Sequence, residues 1–256
     1  MNLLPEERAE AILRCLQRDG RVLVDALSEE LSVSGETIRR DLKRLEKDGL
    51  LRRSHGGAVP LPQRHAADLS FPARSVLNIS AKRRIAAAAA AHVTDGQALM
   101  MDSSSTVQEV MRTLGDRRDL TIVTNSIALL TEPSARAHRV ISVGGECQHD
   151  VMTFHGPLAV AAAKQFHADI AIISVKALSK RSGLMVANAD EAEIKRAFIE
   201  CADRTLLLVD GDKFDGSGLV SAGLLSSIDT LITDRKPDDA WSDVLAEASI
   251  RLEIAD

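Results

Sequence analysis

Tyrosine is absent from this 256-residue chain, tryptophan occurs once, and aromatic residues make up only 2% of it. Recognition of RNA or single strands by base stacking therefore has almost no side chains to use, which favours duplex DNA as a nucleic-acid partner. Cysteine is nearly as scarce. Cys15, Cys147 and Cys201 lie far apart with no CxxC or CxxH spacing, so no metal site is expected, and a reduced, cytoplasmic protein fits best. No run of about 18 uninterrupted apolar residues occurs, which argues against a membrane partner. The first residues, MNLLPEERAEAILRCL, carry acids where a secretory signal needs bases. No cofactor motif stands out either.

The net charge of −5 would not by itself suggest a phosphate-rich partner. Its distribution does. Residues 34–59, SGETIRRDLKRLEKDGLLRRSHGGAV, hold seven Lys or Arg against four acids, a local +3 inside an acidic chain. Ser34 is placed to cap a helix in which Ile38, Leu42 and Leu45 share one buried face. Arg39, Arg40, Lys43, Arg44 and Lys47 occupy the opposite face, and Asp48-Gly49 ends the helix. Leu50 to Arg53 and Ala58-Val59 then flank Ser54-His55-Gly56-Gly57, two short strands around a turn, the form of a wing. Upstream, Ala9, Ile12, Leu13 and Leu16 stripe a first helix and residues 23–31 a second. A basic face is often just a solvated surface. Here it is the third helix of a helix-turn-helix, which points to a DNA reader with Glu36, Thr37, Arg39 and Arg40 near the bases or phosphates. Lys43, Arg44, Arg52 and Arg53 are expected mainly on phosphates, with His55 shaping the wing.

Residues 60–79 contain three prolines and no sustained periodicity, which suits a linker between a DNA-binding domain (1–59) and a larger domain (80–256). Beyond it, helix-length segments alternate with short apolar runs at 98–101, 120–123, 140–143, 170–175, 206–209 and 231–232. That alternation predicts an α/β fold, a parallel sheet covered on both faces, with ligands at the carboxyl ends of its strands.

Several of those ends are polar. Asp102-Ser103-Ser104-Ser105-Thr106 opens a helix, where free amides and hydroxyls suit a phosphate, although the same residues make ordinary N-caps. Asn125 and Ser126 follow the second strand, Gly144 and Gly145 the third, and Asp210 and Lys213 the fifth. Lys176 follows the strand ending at Val175 and could meet an anion. Glu191 and Lys195 are spaced four apart, a pair that needs no further role than helix stabilisation of about 0.2–0.5 kcal/mol. Together these groups predict one anion-binding site at one edge of the sheet.

The spacing Arg8-x3-Ile12-x3-Leu16-x17-Ser34-x2-Thr37-Ile38-Arg39-Arg40-Asp41-Leu42 resembles the signature of the DeoR family of bacterial transcription regulators, and HGGAV (55–59) is similar to that family's wing. The resemblance continues through Lys82-x2-Ile85-Ala86, Asp102–Thr106, Leu120–Ser126, Val143–Gly145, Glu191-Ala192-x2-Lys195 and Asp210-x2-Lys213-Phe214, so it spans nearly the whole chain. It implies a winged helix-turn-helix followed by a Rossmann-like sensor similar to ribose-5-phosphate isomerase and CoA-transferase domains. It also implies a phosphorylated sugar or polyol as effector and, most often, repression as output. Two departures stand out: Ser104 sits where glycine is usual, and Lys176–Lys180 replaces a glycine-containing loop. The expectation is a ligand-responsive, operator-binding regulator acting as a homodimer or homotetramer. The alternatives are a sugar-phosphate isomerase using Asp102 and Glu191 as acid and base with Lys213 holding phosphate, for which the first sixty residues would be superfluous, and a purely structural DNA-binding protein, which would not need the polar strand ends.

Overall fold

The first helix, α1 (Pro5–Asp19), is built on the spacing of Ala9, Ile12, Cys15 and Leu16, all buried, and ends at Gly20 with φ +70°. In this computed structural model, which describes residues 3–61 and 69–256, it is followed by β1 (Val22–Leu23), α2 (Val24–Glu30) and α3 (Gly35–Lys47). β2 (Arg52–Ser54) and β3 (Gly57–Val59) complete a three-stranded antiparallel sheet in the order β1-β3-β2. Val22, Val24, Leu27, Ile38, Leu42, Leu45, Leu51 and Ala58 close one core with the α1 stripe. The expected second helix thus starts one residue later, because Leu23 is paired in the wing sheet.

Part of the expected linker is ordered into the first unit. Residues 71–76 form α4 (Phe71–Val76), capped by Ser70, with Phe71 and Val76 buried and Val76 joined to the winged-helix core. Three prolines hid this turn of helix, since Pro72 lies at its start, where a missing N–H costs nothing. Residues 62–68 of the same segment lie outside the described residues. The chain divides into two compact units, Met1–Ser80 and Ala81–Asp256.

The second unit is α/β. α5 (Ile79–Ala91) leads into β4 (Ala98–Met101), α6 (Ser105–Thr113), β5 (Thr121–Thr124), α7 (Ile127–Thr131) and β6 (Arg139–Ser142). A hairpin, β7 (Glu146–Gln148) and β8 (Thr153–His155), precedes α8 (Pro157–Ala163) and β9 (Ala168–Ser174). Then come β10 (Ala177–Ser179), β11 (Gly183–Val186), α9 (Ala189–Glu200), β12 (Ala202–Leu208), β13 (Val220–Gly223), β14 (Thr230–Thr233), α10 (Asp239–Glu247) and β15 (Arg251–Ile254). Seven strands form one sheet in the order β15-β14-β12-β9-β4-β5-β6, every neighbouring pair parallel. Successive strand residues serve opposite faces. Leu99 and Met101 pack with α5 and α6, while Met100 packs with Ala159, Ala163, Ile194 and Phe198 of α8 and α9.

Strand order sets the position of any site. The chain runs outward from β4 to β6, then returns to the other side of β4 and runs outward again through β9, β12, β14 and β15. The reversal falls between β4 and β9, the topological switch point at which open parallel sheets bind ligands. Four features were not among the expected elements: the edge strand β15, the β7–β8 hairpin, the small sheet β10-β11-β13 and helix α10.

Candidate functional site

On the first unit, Ser34 Oγ accepts the Thr37 N–H at 3.2 Å and lies 2.9 Å from the Thr37 hydroxyl, so the start of α3 is pinned by its cap. Its inner face is fixed by an ion pair as well as by leucines. Arg8 on α1 meets Asp41 through Nε and Nη2 at 2.5 and 3.3 Å, with both side chains largely buried. The wing depends on one close approach. A Cβ on Gly57 would lie 1.9 Å from the Val22 carbonyl oxygen, so only glycine lets β1 and β3 pair at that point.

The basic residues separate into two groups. Arg44 donates to the Pro5 carbonyl at 3.0 Å, and Arg53 donates to Glu46 Oε2 at 2.7 Å while its backbone N–H meets Glu46 Oε1 at 2.9 Å. The Arg53 guanidinium holds the Glu46 carboxyl below the usual carboxylate range. Both arginines were expected mainly on phosphates; the fold uses them to tie α3 to α1 and to the wing. Glu36 and Arg39 form an exposed pair at 3.7 Å. Arg40, Lys43 and Arg52, together with Lys47, are exposed and have no ion-pair partner among the described residues, and His55 is exposed on the wing.

In the second unit, the switch point is lined by charge. Asp102, at the end of β4 and 1% exposed, receives the Lys195 ammonium from α9, itself 2% exposed. Asp102 Oδ2 also accepts the Ser174 N–H at 3.0 Å and Oδ1 the Ser104 N–H at 2.9 Å. Lys213, on a single 3-10 turn (Gly211–Lys213), donates to Ser174 Oγ at 2.9 Å and lies 3.9 Å from Asp210. Glu191 accepts the Ala187 N–H at 3.2 Å and stands 3.5 Å from Lys195, so that pair is part of this network rather than a surface pair alone. Ser174 was not foreseen. Its signal was one hydroxyl inside the apolar run 170–175.

Other expected residues take structural parts. Ser104 is extended, φ −82° and ψ 149°, and its hydroxyl caps α6 by accepting the Val107 N–H at 3.1 Å, so the absence of glycine there imposes no strain. Ser103 is half-buried, while Ser105 and Thr106 are buried in the first turn of α6. Asn125 Nδ2 donates to Thr153 Oγ1 at 2.8 Å and to the Phe154 carbonyl at 3.1 Å, joining β5 to β8, and Ser126 caps α7. Thr106 Oγ1 and Asn125 Oδ1 are buried without a hydrogen-bond partner among the described residues. Gly144 faces open space at φ +64°. Gly145 is needed by the protein itself, because a Cβ would sit 2.6 Å from the His155 carbonyl oxygen and 2.9 Å from Ala159 Cβ. The Lys176 amide pairs with the Met185 carbonyl at the start of the β10–β11 hairpin. Among the described residues, no cluster of His, Cys, Asp or Glu could hold a metal, and no helix is long and apolar enough to cross a membrane.

A winged helix-turn-helix joined to a parallel α/β unit with a charged switch point defines a ligand-responsive, DNA-binding transcription regulator. Residues 8–64 match the family model for the DeoR-like helix-turn-helix domain and residues 77–235 that for the DeoR C-terminal sensor domain; the chain belongs to the DeoR family. It is 32% identical to the transcriptional repressor AccR of Agrobacterium fabrum over 90% of this chain and 89% of that one. It is 30% identical to the glycerol-3-phosphate regulon repressor of Escherichia coli over 97% and 98% of the two chains. Among solved structures, ribose 5-phosphate isomerase A of Methanocaldococcus jannaschii matches with a TM-score of 0.39 and 16% identity, over 54% of this chain and 55% of that one.

Proposed function

We propose that α3 and the wing read operator DNA as part of a homodimer or homotetramer in the cytoplasm, and that a phosphorylated sugar or polyol at the switch point modulates that binding. The output is repression, in keeping with the names of two relatives, and the regulated genes serve carbohydrate or polyol use, in keeping with the glycerol-3-phosphate regulon named for one of them. Arg39, Arg40, Lys43, Lys47 and Arg52 carry the DNA contacts, and a second copy supplies the matching half-site.

The observation that carries the effector reading is the shared hold on Ser174. Its amide serves Asp102 and its hydroxyl serves Lys213, which places the Lys213 ammonium next to the first turn of the loop 102–106. Lys195 is committed to Asp102, so the groups we assign to an anion are Lys213, Lys176 and the positive end of α6. The same geometry speaks against catalysis. Asp102 is paired with Lys195 and also accepts two backbone N–H groups, a poor state for a general base.

The test is thermal unfolding with ribose 5-phosphate and glycerol 3-phosphate. Either should raise the melting temperature of the parent protein, and Lys213→Ala should remove the rise. No shift with any of a panel of sugar phosphates would sink the effector reading, and isomerisation of ribose 5-phosphate at enzymatic rates would overturn the regulatory one.

A further inference from the structure

Lys213 stands on a turn too short to hold itself. Gly211–Lys213 is one 3-10 turn of three residues, a form whose hydrogen-bond geometry is poor and which depends on support from outside. Its near side is fixed by Asp234, whose Oδ1 accepts the Gly211 N–H at 2.7 Å, and by Arg235, which pairs with Asp212 at 2.5 Å. Its far side is fixed by a cage around the chain's one tryptophan. Trp241, on α10 and wholly buried, meets Phe214 edge to face, with ring centroids 5.1 Å apart and planes at 73°. Its Nε1–H donates to Asp215 Oδ2 at 2.9 Å. The Lys180 ammonium lies over the same ring, 5.3 Å from the centroid, and stands 3.7 Å from Asp215 Oδ1 and 3.6 Å from Oδ1 of Asp238, the residue that caps α10.

Two features say that this cage serves geometry more than stability. Asp215 has φ +54°, a left-handed conformation that a residue other than glycine keeps only where its surroundings over-determine it. The ion pairs are also open to water, with side-chain exposures of 33% for Lys180, 56% for Asp215 and 59% for Asp238, and exposed pairs add little to stability.

The cage joins two segments as well. Leu178 bridges to Phe214, a Cβ on Gly216 would lie 2.7 Å from Ala177 Cβ, and Lys180 reaches Asp215. The stretches that carry Lys176 and Lys213 are thus fastened side by side. Those are the two lysines assigned above to the anion.

We infer that Lys180, Asp215 and Trp241 are positioning residues of the effector site: they fix the backbone from which Lys213 and Lys176 reach the anion, and act only through those lysines. The inference rests on the effector reading proposed above and deepens it. Asp215 separates positioning from simple charge. Removing a carboxylate beside an anion site tightens binding if only charge matters, whereas loss of the held geometry weakens it.

The experiment uses the full chain. Dissociation constants for ribose 5-phosphate and glycerol 3-phosphate are measured by titration calorimetry, and the melting temperature without ligand, in the parent, Lys180→Met, Lys180→Arg and Asp215→Ala. Binding should weaken about threefold or more in Lys180→Met and Asp215→Ala and stay within about twofold of the parent in Lys180→Arg, which keeps a cation over the ring. The ligand-free melting temperature should fall by no more than about 4 °C, the most that an exposed pair allows in a unit of this size. If Asp215→Ala does not fold, Asp215→Asn takes its place, since it removes the charge and tolerates the left-handed backbone. Binding by the Asp215 variant as tight as the parent's or tighter would overturn the positioning role and leave the effector site intact. So would a loss in Lys180→Met that comes with a larger fall in melting temperature and is not restored by Lys180→Arg, because that is general destabilisation. No binding of either probe by the parent would instead overturn the effector reading, and this inference with it.

Discussion

Lys195→Met is the sharpest probe of the sensor's architecture. It removes the cation from a pair in which the Asp102 and Lys195 side chains are 1% and 3% exposed, and leaves the carboxylate where water cannot reach it. Losing one partner of a buried pair typically costs about 3–5 kcal/mol. Asp102 keeps the Ser104 and Ser174 N–H donors at 2.9 and 3.0 Å, charge-assisted bonds that hold the loss near the lower bound, about 3 kcal/mol. A unit the size of residues 81–256 shifts by roughly 2–4 °C per kcal/mol, so its melting temperature should fall by about 6–12 °C. Calorimetry that resolves the transition of this unit is the assay. The control is Asp102→Asn/Lys195→Met, in which no charge is stranded, and which should be more stable than the sum of the two single losses predicts. A fall of under about 2 °C in Lys195→Met, or strict additivity in the double variant, would refute the reasoning, because either means the carboxylate is not dependent on its lysine.

Gly57→Ala should destabilise the winged unit by about 2 kcal/mol or more, read by chemical denaturation, since its Cβ would drive β3 off the Val22 carbonyl. Four cations per chain without ion-pair partners among the described residues, Arg40, Lys43, Lys47 and Arg52, would make about eight phosphate contacts in the proposed dimer, so log K for operator DNA against log salt should have a slope near −7. Arg40→Ala should reduce that slope by about 2, whereas Arg44→Ala should leave it unchanged and lower stability instead, because Arg44 holds the Pro5 carbonyl; equal slope changes in the two would contradict the grouping. Glu46 has a folded-state pKa depressed by Arg53, so the pair stabilises the wing above the ordinary carboxylate range and that contribution is lost as pH falls through the folded value. Glu46→Gln should therefore flatten the acid side of the stability–pH curve of the first unit, and an unchanged acid limb would argue against the pair.

Local rules reached a good part of this. The stripe Ala9, Ile12, Leu16 and the set Ile38, Leu42, Leu45 are buried as their spacing requires, and Ser34 caps α3 as its position before Gly-Glu-Thr implies. The inner strands of the sheet are continuous apolar runs because both faces are covered, which made them visible. β15 was not visible: Arg251-Leu252-Glu253-Ile254 is a short edge strand with polar residues between apolar ones, indistinguishable from a surface loop. The β7 residues Glu146-Cys147-Gln148 are exposed throughout, so no hydrophobic pattern marks them. α4 was lost to its own proline, which reads as a breaker unless it is known to stand at a helix start.

The site was legible in its members and not in its wiring. Sequence places Glu191 and Lys195 four apart and invites a pair worth a few tenths of a kcal/mol, about 0.2–0.5. The fold puts Lys195 ninety-three positions from its real partner, Asp102, and only tertiary structure could bring them together. That pairing changes the reading of the site's charge. If both lysines were unpaired, the switch point would be a simple cationic pocket and either lysine could be the anchor. Lys195 is held by the buried carboxylate of Asp102, whereas Lys213 rests on the neutral hydroxyl of Ser174, so Lys213 is the candidate anchor for an anion. Lys213 still has Asp210 at 3.9 Å, so the anion must compete with a carboxylate, and the amides at the start of α6 must contribute the rest of the attraction. Substituting Lys213 should therefore weaken effector binding at little cost to stability, whereas substituting Lys195 should act mainly on stability, through the loss of about 3 kcal/mol at Asp102.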